Sequence, residues 1–428
     1  MLTQFIMRVK VMKMNKLSND CGGNIITRSR AEYYWAMILI FLGGMTAYSM
    51  KHGPQPLIPF ISIDYGLTPA AGSLVVASEM LGMSVTLLGM VIYADYFPRR
   101  KTTGLALLLS GILALMAGVT PSYPIIVAAR FAQGMILGAF PALLVDYINE
   151  EFEETQAAFF LGIYFASTAA GGMLGRMETT LISSFMGWRE AFYFLGFLGI
   201  AVSLFYMRKL PVERSVRKHT RHISVRFIWQ AISGSRDLHA LCFMGMVFMG
   251  SFAVIYTYIT FVLLDVPYQF TRQELAPIFL MQIFGCFSSS VTGKVLKWQR
   301  WRLFLSGHIA LMAAGILMTG GTGVIWKFTG LAVFMIGMFG AQTTAVHWVS
   351  LLKDVPRAGA SSLYLFSYYT GGSLFSVTGG FFYHSYGWNG IMAFLLVAMG
   401  LALIAYLYLY RRWEQACRVS CKKEAVKK

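Results

Sequence analysis

The chain has 428 residues, 57% of them apolar, 15% aromatic and only 13% charged, with a mean hydropathy of +0.59. That balance excludes an ordinary soluble domain of this length. The formal charge of +17 points at first to nucleic acid, but the chain carries no nucleic-acid-binding module, and its basic residues fall in short blocks between apolar runs.

Apolar stretches of about 20 residues, enough to cross roughly 30 Å of hydrocarbon, recur along the chain. They lie at 33–59, 70–92, 104–119, 125–148, 157–177, 191–207, 241–264, 275–293, 303–319, 328–350, 358–380 and 390–410. The reading is an all-α membrane protein of twelve transmembrane helices. Thirty of the 36 Lys and Arg lie before Tyr33, at 99–101, 208–236, 294–302 and 353–357, and after Tyr410. Threading twelve spans brings all six blocks to one side. The positive-inside rule makes that side cytoplasmic, with both termini inside and the basic tails beside anionic headgroups. The predicted organisation is a tail at 1–32, a six-helix bundle at 33–207, a basic linker at 208–240, a second bundle at 241–410 and a tail at 411–428. Residues 1–20 carry charges throughout and do not read as a signal peptide. The five Cys show no paired-ligand spacing, so no metal site is expected.

In span one, Lys51-His52-Gly53-Pro54-Gln55-Pro56 predicts a break, and freed backbone groups at such breaks often line substrate cavities. Lys51 there could attract an anionic substrate. Glu79, in span two, lies about nine residues from its outer end, roughly 13 Å deep at 1.5 Å per residue. Lys51 counts to a similar depth. Three readings stay open: Glu79 as a proton-coupling residue tuned by a nearby cation, a static Lys51–Glu79 pair, or Lys51 at the rim outside the membrane. Arg130 sits inside span four, followed by Gln133, Gly134 and Gly138. A permanent charge at that depth costs at least about 2.5 kcal/mol on insertion scales and persists only with a partner or a polar cavity. The acidic loop Glu150-Glu151-Phe152-Glu153-Glu154 reads as a solvated turn facing the basic linker.

Span five carries Gly171-Gly172, with Arg176 and Glu178 beyond as an expected rim pair. His308 and His347, in spans nine and ten, read as structural hydrogen-bonding residues. In span eleven, Tyr364 and Tyr368 share a face and are expected either to wall a cavity or to pack in the core. Adding 200 to Tyr164, Ser167, Gly171, Gly172, Leu174, Gly187, Trp188, Phe194 and Leu195 gives nine identical residues, Tyr364 to Leu395. That is the signature of an internal duplication, with Gly371-Gly372 as the counterpart of Gly171-Gly172. Small residues let membrane helices approach closely, either as plain packing or at an interface that opens and shuts.

These features together resemble a major facilitator superfamily transporter over residues 33–412. Three family motifs carry the likeness. The loop after span two reads Val91-Ile92-Tyr93-Ala94-Asp95-Tyr96-Phe97-Pro98-Arg99-Arg100 and keeps the Asp and the basic pair, while Val91, Tyr96 and Pro98 replace the family's other positions. Arg130, Gln133, Gly134 and Gly138 match the fourth-span pattern without substitution. Span five keeps Gly162, Gly171 and Gly172 but has Ser167-Thr168 where exporters carry Gly-Pro. The span-eleven stretch 361–372 is similar to bacterial inner-membrane permeases placed beside the drug–proton antiporters.

The resemblance implies two six-helix repeats, a monomer in the bacterial inner membrane, and alternating access to a central site. It implies a gate of Asp95, Arg99, Arg100 and Asp146, in which Asp95 meets the N-terminus of span eleven at Ala360-Ser361-Ser362 and Arg99 pairs with Asp146. The loop also admits a plain topology-setting role. Lys297 stands where the second half would carry the Asp. The resemblance ties Arg130 to proton transfer; with it, Glu79 is the expected proton-coupling residue, and Lys51, His52, Gln133, Tyr364 and Tyr368 are the expected cavity residues. The expected activity is proton-coupled export of a small organic compound, with no cofactor and no enzymatic step. Proton-linked uptake is the alternative, and a transporter-shaped receptor or lipid-translocating scaffold lies behind both.

Overall fold

The structure is a computed structural model that describes residues 29–213, 235–297, 301–352, 355 and 357–426. The predicted N-terminal tail and most of the basic linker therefore lie outside the described residues. Helix α1 spans Arg30–His52 and opens on a capping box: Glu32 N–H donates to Ser29 Oγ at 3.2 Å, and Ser29 N–H donates to Glu32 Oε2 at 2.9 Å. It stops where the sequence predicts. Pro54 has no N–H to offer the Met50 carbonyl, so a 3-10 turn at Gln55–Leu57 intervenes before α2, Ile58–Tyr65. A single turn, α3 (Pro69–Gly72), leads into α4 (Leu74–Tyr93).

There follow α5 (Arg99–Val119), α6 (Tyr123–Glu151), α7 (Glu154–Phe185) and α8 (Trp188–Lys209). Beyond the linker come α9 (Arg236–Leu264), a 3-10 segment Gln273–Met281, α10 (Gln282–Val295), α11 (Leu303–Met318), α12 (Val324–Ser350) and α13 (Arg357–Val426). Pro277 explains the tighter winding before α10. Helix α13 is two helices joined at Gly387, whose φ of 59° is open to glycine at low cost. Its counterpart Gly187 has φ 127° and separates α7 from α8. The duplication seen in the sequence thus recurs as one backbone device, each time followed by a tryptophan that anchors its ring N–H: Trp188 Nε1 donates to Asp64 at 2.6 Å, Trp388 Nε1 to the Thr319 carbonyl at 3.1 Å.

Among the described residues, ten helical segments are long and apolar enough to cross a membrane, and Leu303–Met318 is a shorter apolar helix. Within the first half, α1 packs on α7 and α8, α4 on α6, and α5 on α6 and α8; in the second, α9 packs on α13 and α12 on both α10 and α11. The halves meet most extensively where α13 lies along α4 and where α7 meets the 3-10 segment. Helix α9 is apolar all round and almost wholly buried, which fixes it at the centre. Large apolar side chains such as Phe197, Phe205, Phe287 and Ile404 instead point outward and are exposed, a surface suited to hydrocarbon.

Glycines set how closely these helices lie. A Cβ on Gly134 would stand 1.9 Å from the Glu79 carbonyl, so α6 and α4 touch backbone to backbone there.

Candidate functional site: a cavity between the two halves

A cavity of about 2010 Å³ lies between the halves. Its mouth runs between Asp95, Tyr96 and Asp146 on one side and Ser361 and Ser362 on the other. Its head is formed by Tyr48, Lys51, His52, Phe252, Gln282 and Tyr369. The opposite end is shut by contacts across the halves. Gln55 Nε2 donates to the Ala253 carbonyl and to Thr257 Oγ1, both at 3.0 Å. Farther out, Arg272 donates to the Ser183 carbonyl at 3.0 Å and covers Phe60, while a Cβ on Gly380 would lie 2.3 Å from Ala70 Cα.

Arg130 is fully buried and its role follows from the break in α1. Its Nη1 donates to the Met50 carbonyl at 3.0 Å, its Nη2 to the Lys51 carbonyl at 3.1 Å and its Nε to Val75 at 3.1 Å. The planar fork therefore supplies the Met50 carbonyl with the donor that Pro54 lacks. Arg130 Nη2 also lies 3.9 Å from Glu79 Oε2. Both Glu79 oxygens are buried and have no hydrogen-bond partner among the described residues. Gln133 accepts from Arg130 Nη1 and donates to the Ser110 carbonyl at 2.9 Å.

Several expectations are corrected here. Lys51 is 3% exposed, not at a rim, and no ion pair joins it to Glu79 among the described residues. Its ammonium sits 4.0 Å from the centre of the Tyr369 ring and 5.1 Å from that of Tyr48. The depth count was sound, but Gly134 draws the Glu79 turn against α6, where Arg130 takes the carboxylate. Gln133 is turned into α5 and does not line the cavity. Nor does Tyr364, which is buried against Gly245 and donates to Gln342 Oε1 at 2.6 Å; Tyr368 and Tyr369 form that wall.

Arg176 is not a rim residue paired with Glu178. It is fully buried and joins four elements at the head of the cavity. Its Nε donates to Gln55 Oε1 at 2.9 Å, its Nη1 to Gln282 Oε1 at 2.9 Å and to Gly172 at 2.6 Å. Nη2 lies 3.0 Å from His52 Nδ1. A guanidinium only donates, so Nδ1 is the accepting nitrogen and the imidazole proton belongs on Nε2. The guanidinium also lies 4.7 Å from the Tyr256 ring centre. Sequence reasoning missed this hub, although Arg176, Gln55 and Gln282 each stand out as polar residues in apolar surroundings.

At the mouth, Arg99 is 2% exposed and holds Asp95 at 3.2 Å, Asp146 at 3.7 Å and Glu150 at 3.0 Å. The Arg99–Asp146 pair was expected, and Glu150, placed in a solvated turn, was not. Arg100 turns away: its side chain donates to the Met207 carbonyl and its backbone N–H to Glu213 at 2.6 Å, closing the end of α8. The glycine pairs divide alike. Gly171 lies on the backbone of Met45 and Gly371 on that of Met246, within their own halves. Gly172 faces Gln282 and Gly372 faces Met80, across them. His308 meets Thr292 at 3.3 Å and His347 lies edge-on to Trp301, both structural placements.

The family model of the Major Facilitator Superfamily matches residues 37–376. The chain belongs to the Major Facilitator Superfamily. The inner membrane transport protein YnfM of Escherichia coli K12 is 30% identical over 408 residues, 93% of this chain and 96% of that one. The MFS-type transporter YybF of Bacillus subtilis is 28% identical over 374 residues, 87% of this chain and 92% of that one. Among solved structures, a bacterial homolog of the human lysosomal transporter Spinster, inward-facing and unoccupied, superposes with a TM-score of 0.71 at 14% identity, over 90% of this chain and 97% of that one. The nucleoside transporter NupG does so at 0.70 and 12%, over 88% and 99%. This superfamily member is thus a multi-pass membrane transporter and not an enzyme.

Proposed function

We propose that this transporter crosses the bacterial cytoplasmic membrane twelve times, with both termini inside, and exports a small organic compound in exchange for protons. The ten long apolar segments, the break at Gly387 and the shorter α11 support the twelve spans. The six blocks of Lys and Arg support the orientation. The cavity then opens to the cytoplasm between Asp95 and Ser361, and alternating access shuts it by bringing Asp95 to the N-terminus of α13. The cross-half glycines Gly172 and Gly372 let the bundles rock against each other at close range. Monomer is the working state.

One observation carries the coupling: Arg130 holds the Glu79 carboxylate and, with the same guanidinium, the Met50 and Lys51 carbonyls at the break of α1. A proton arriving on Glu79 removes the attraction that fixes one side of this fork. The break, and with it Lys51 and His52 at the cavity head, is then released. Proton binding and cavity shape are linked through one side chain, as exchange requires. Ser167-Thr168, in place of the exporter Gly-Pro, favours a second reading, proton-linked uptake by the same pair.

Everted vesicles with an acid lumen and a luminal pH dye test this against a panel of organic acids, amines and sugars. Export by exchange predicts luminal alkalinisation when a transported compound is added. Luminal acidification would favour uptake, and no response to any compound would overturn proton coupling.

A further inference from the structure

The charges at the head of the cavity do not balance. Lys51 lines the void, and its ammonium makes no hydrogen bond or ion pair among the described residues; it lies over the ring faces of Tyr369 and Tyr48. A ring quadrupole holds a cation without cancelling its charge. Behind it, Arg176 is buried among neutral acceptors, Gln55, Gln282, His52 and the Gly172 carbonyl. Among the described residues no carboxylate lies within ion-pair distance of either. Glu79, the carboxylate of the neighbouring helix, is sealed from the cavity against Arg130, and Asp95 and Asp146 are held at the mouth by Arg99. Two basic side chains therefore stand at the dead end of a transport cavity with no carboxylate in contact, and Glu79, the nearest, is already shared with Arg130.

We infer that the head of the cavity binds an organic monoanion, a carboxylic acid with an apolar or aromatic body, and that Lys51 is the residue that pairs with it. The inference rests on the transport cavity proposed above, and it holds whichever way transport runs and whether or not protons are coupled. One negative charge is what the site can take. Arg176 has turned Nε, Nη1 and Nη2 to neutral partners, whereas the Lys51 ammonium has no hydrogen-bond acceptor among the described residues and acts as a compact point charge. Tyr48, Phe252, Tyr368 and Tyr369 offer ring faces to the rest of the molecule. Arg176 adds long-range attraction through a medium that screens poorly. A cationic compound would meet Lys51 and Arg176 with no carboxylate in contact to offset them.

The test is thermal unfolding of the full-length protein in detergent against matched acids, amides and amines: benzoate, benzamide and benzylamine, then 1-naphthoate, 1-naphthamide and 1-naphthylmethylamine. A charge-assisted hydrogen bond to Lys51 predicts that the acid binds about tenfold tighter than its amide, or more, and that the amine does not bind. Lys51→Met removes the preference, Lys51→Arg keeps it, and Lys51→Glu turns it toward the amine. The ligand-free unfolding midpoint of each variant reports whether it is folded. Acid and amide binding alike, an amine binding best, an acid preference that survives Lys51→Met, or no binding by any acid would each overturn the inference. Acid binding without proton movement in vesicles would leave the anion site standing and refute the exchange mechanism alone.

Discussion

Arg130→Met is the substitution whose cost the structure specifies most fully. It strands the buried Glu79 carboxylate, 3.9 Å away, and the Met50 carbonyl, which Pro54 cannot serve. Removing one partner of a buried ion pair costs about 3–5 kcal/mol, and a stranded carbonyl adds about 1–3 kcal/mol. The expected loss is on the order of 5 kcal/mol in reversible unfolding in mixed detergent micelles. Glu79→Gln alone leaves the guanidinium its carbonyl partners and costs less. In the double variant no carboxylate is stranded, so it should be more stable than Arg130→Met by about 2 kcal/mol; with the cost of Glu79→Gln added, the coupling lies toward the upper end of the range for directly interacting residues. Arg130→Lys keeps the charge but lacks the flat fork that spans Met50, Lys51 and Val75, and should fall between wild type and Arg130→Met. Costs that add to within about 0.5 kcal/mol would refute the idea that one guanidinium ties the carboxylate to the break.

Two further outcomes follow from packing and access. Gly171→Ala and Gly371→Ala push a methyl to within 2.2 and 2.3 Å of the Met45 and Met246 carbonyls, whereas a Cβ on Gly162 meets nothing within 4 Å. Overpacking should lower stability by about 1–3 kcal/mol at the first two and leave Gly162→Ala near wild type in the same unfolding assay; equal effects at all three would contradict the packing described. Cys286 lines the cavity while Cys242 is buried in the core. With Cys21, Cys417 and Cys421 replaced by Ser, a membrane-impermeant maleimide added to everted vesicles should label Cys286 and not Cys242, and a bound substrate should slow it; labelling only from the opposite face would reverse the orientation.

Much of this site was legible in the sequence, and what was hidden has identifiable causes. Arg130, the Gly53-Pro54 break and the paired glycines could be read because each breaks a local rule: a charge at bilayer depth, a missing N–H, bare backbone in a helix. The 200-residue offset could be read because duplication preserves the positions where only glycine serves, as Gly187 and Gly387 show with their positive φ. Depth was less secure. Arg176 was counted from a span ending at 177, but α7 continues to Phe185, so a residue expected at the rim lies at the head of the cavity. Azimuth was least legible. Glu79 and Lys51 stand on adjacent helices, yet which neighbour each faces depends on how closely α4 and α6 approach. That distance is set by Gly134 and Gly138 acting against residues about 55 positions away in sequence. Arg99 and Arg100 are adjacent in sequence and diverge for the same reason, one side of the helix facing Asp146 and Glu150 and the other the end of α8.

In the proposed mechanism Glu79 carries the coupled proton while Arg130 transmits its state to the cavity. The most direct measurement compares two transport modes of Glu79→Gln in proteoliposomes, using a compound that moves protons in the wild type. Exchange of labelled for unlabelled compound needs the cavity to alternate but needs no proton, whereas transport driven by an imposed pH gradient needs both. A glutamine mimics the protonated carboxyl, so exchange should persist near the wild-type rate and gradient-driven transport should disappear. Gradient-driven transport that survives in Glu79→Gln would place the proton elsewhere, and loss of both modes would make Glu79 a structural residue.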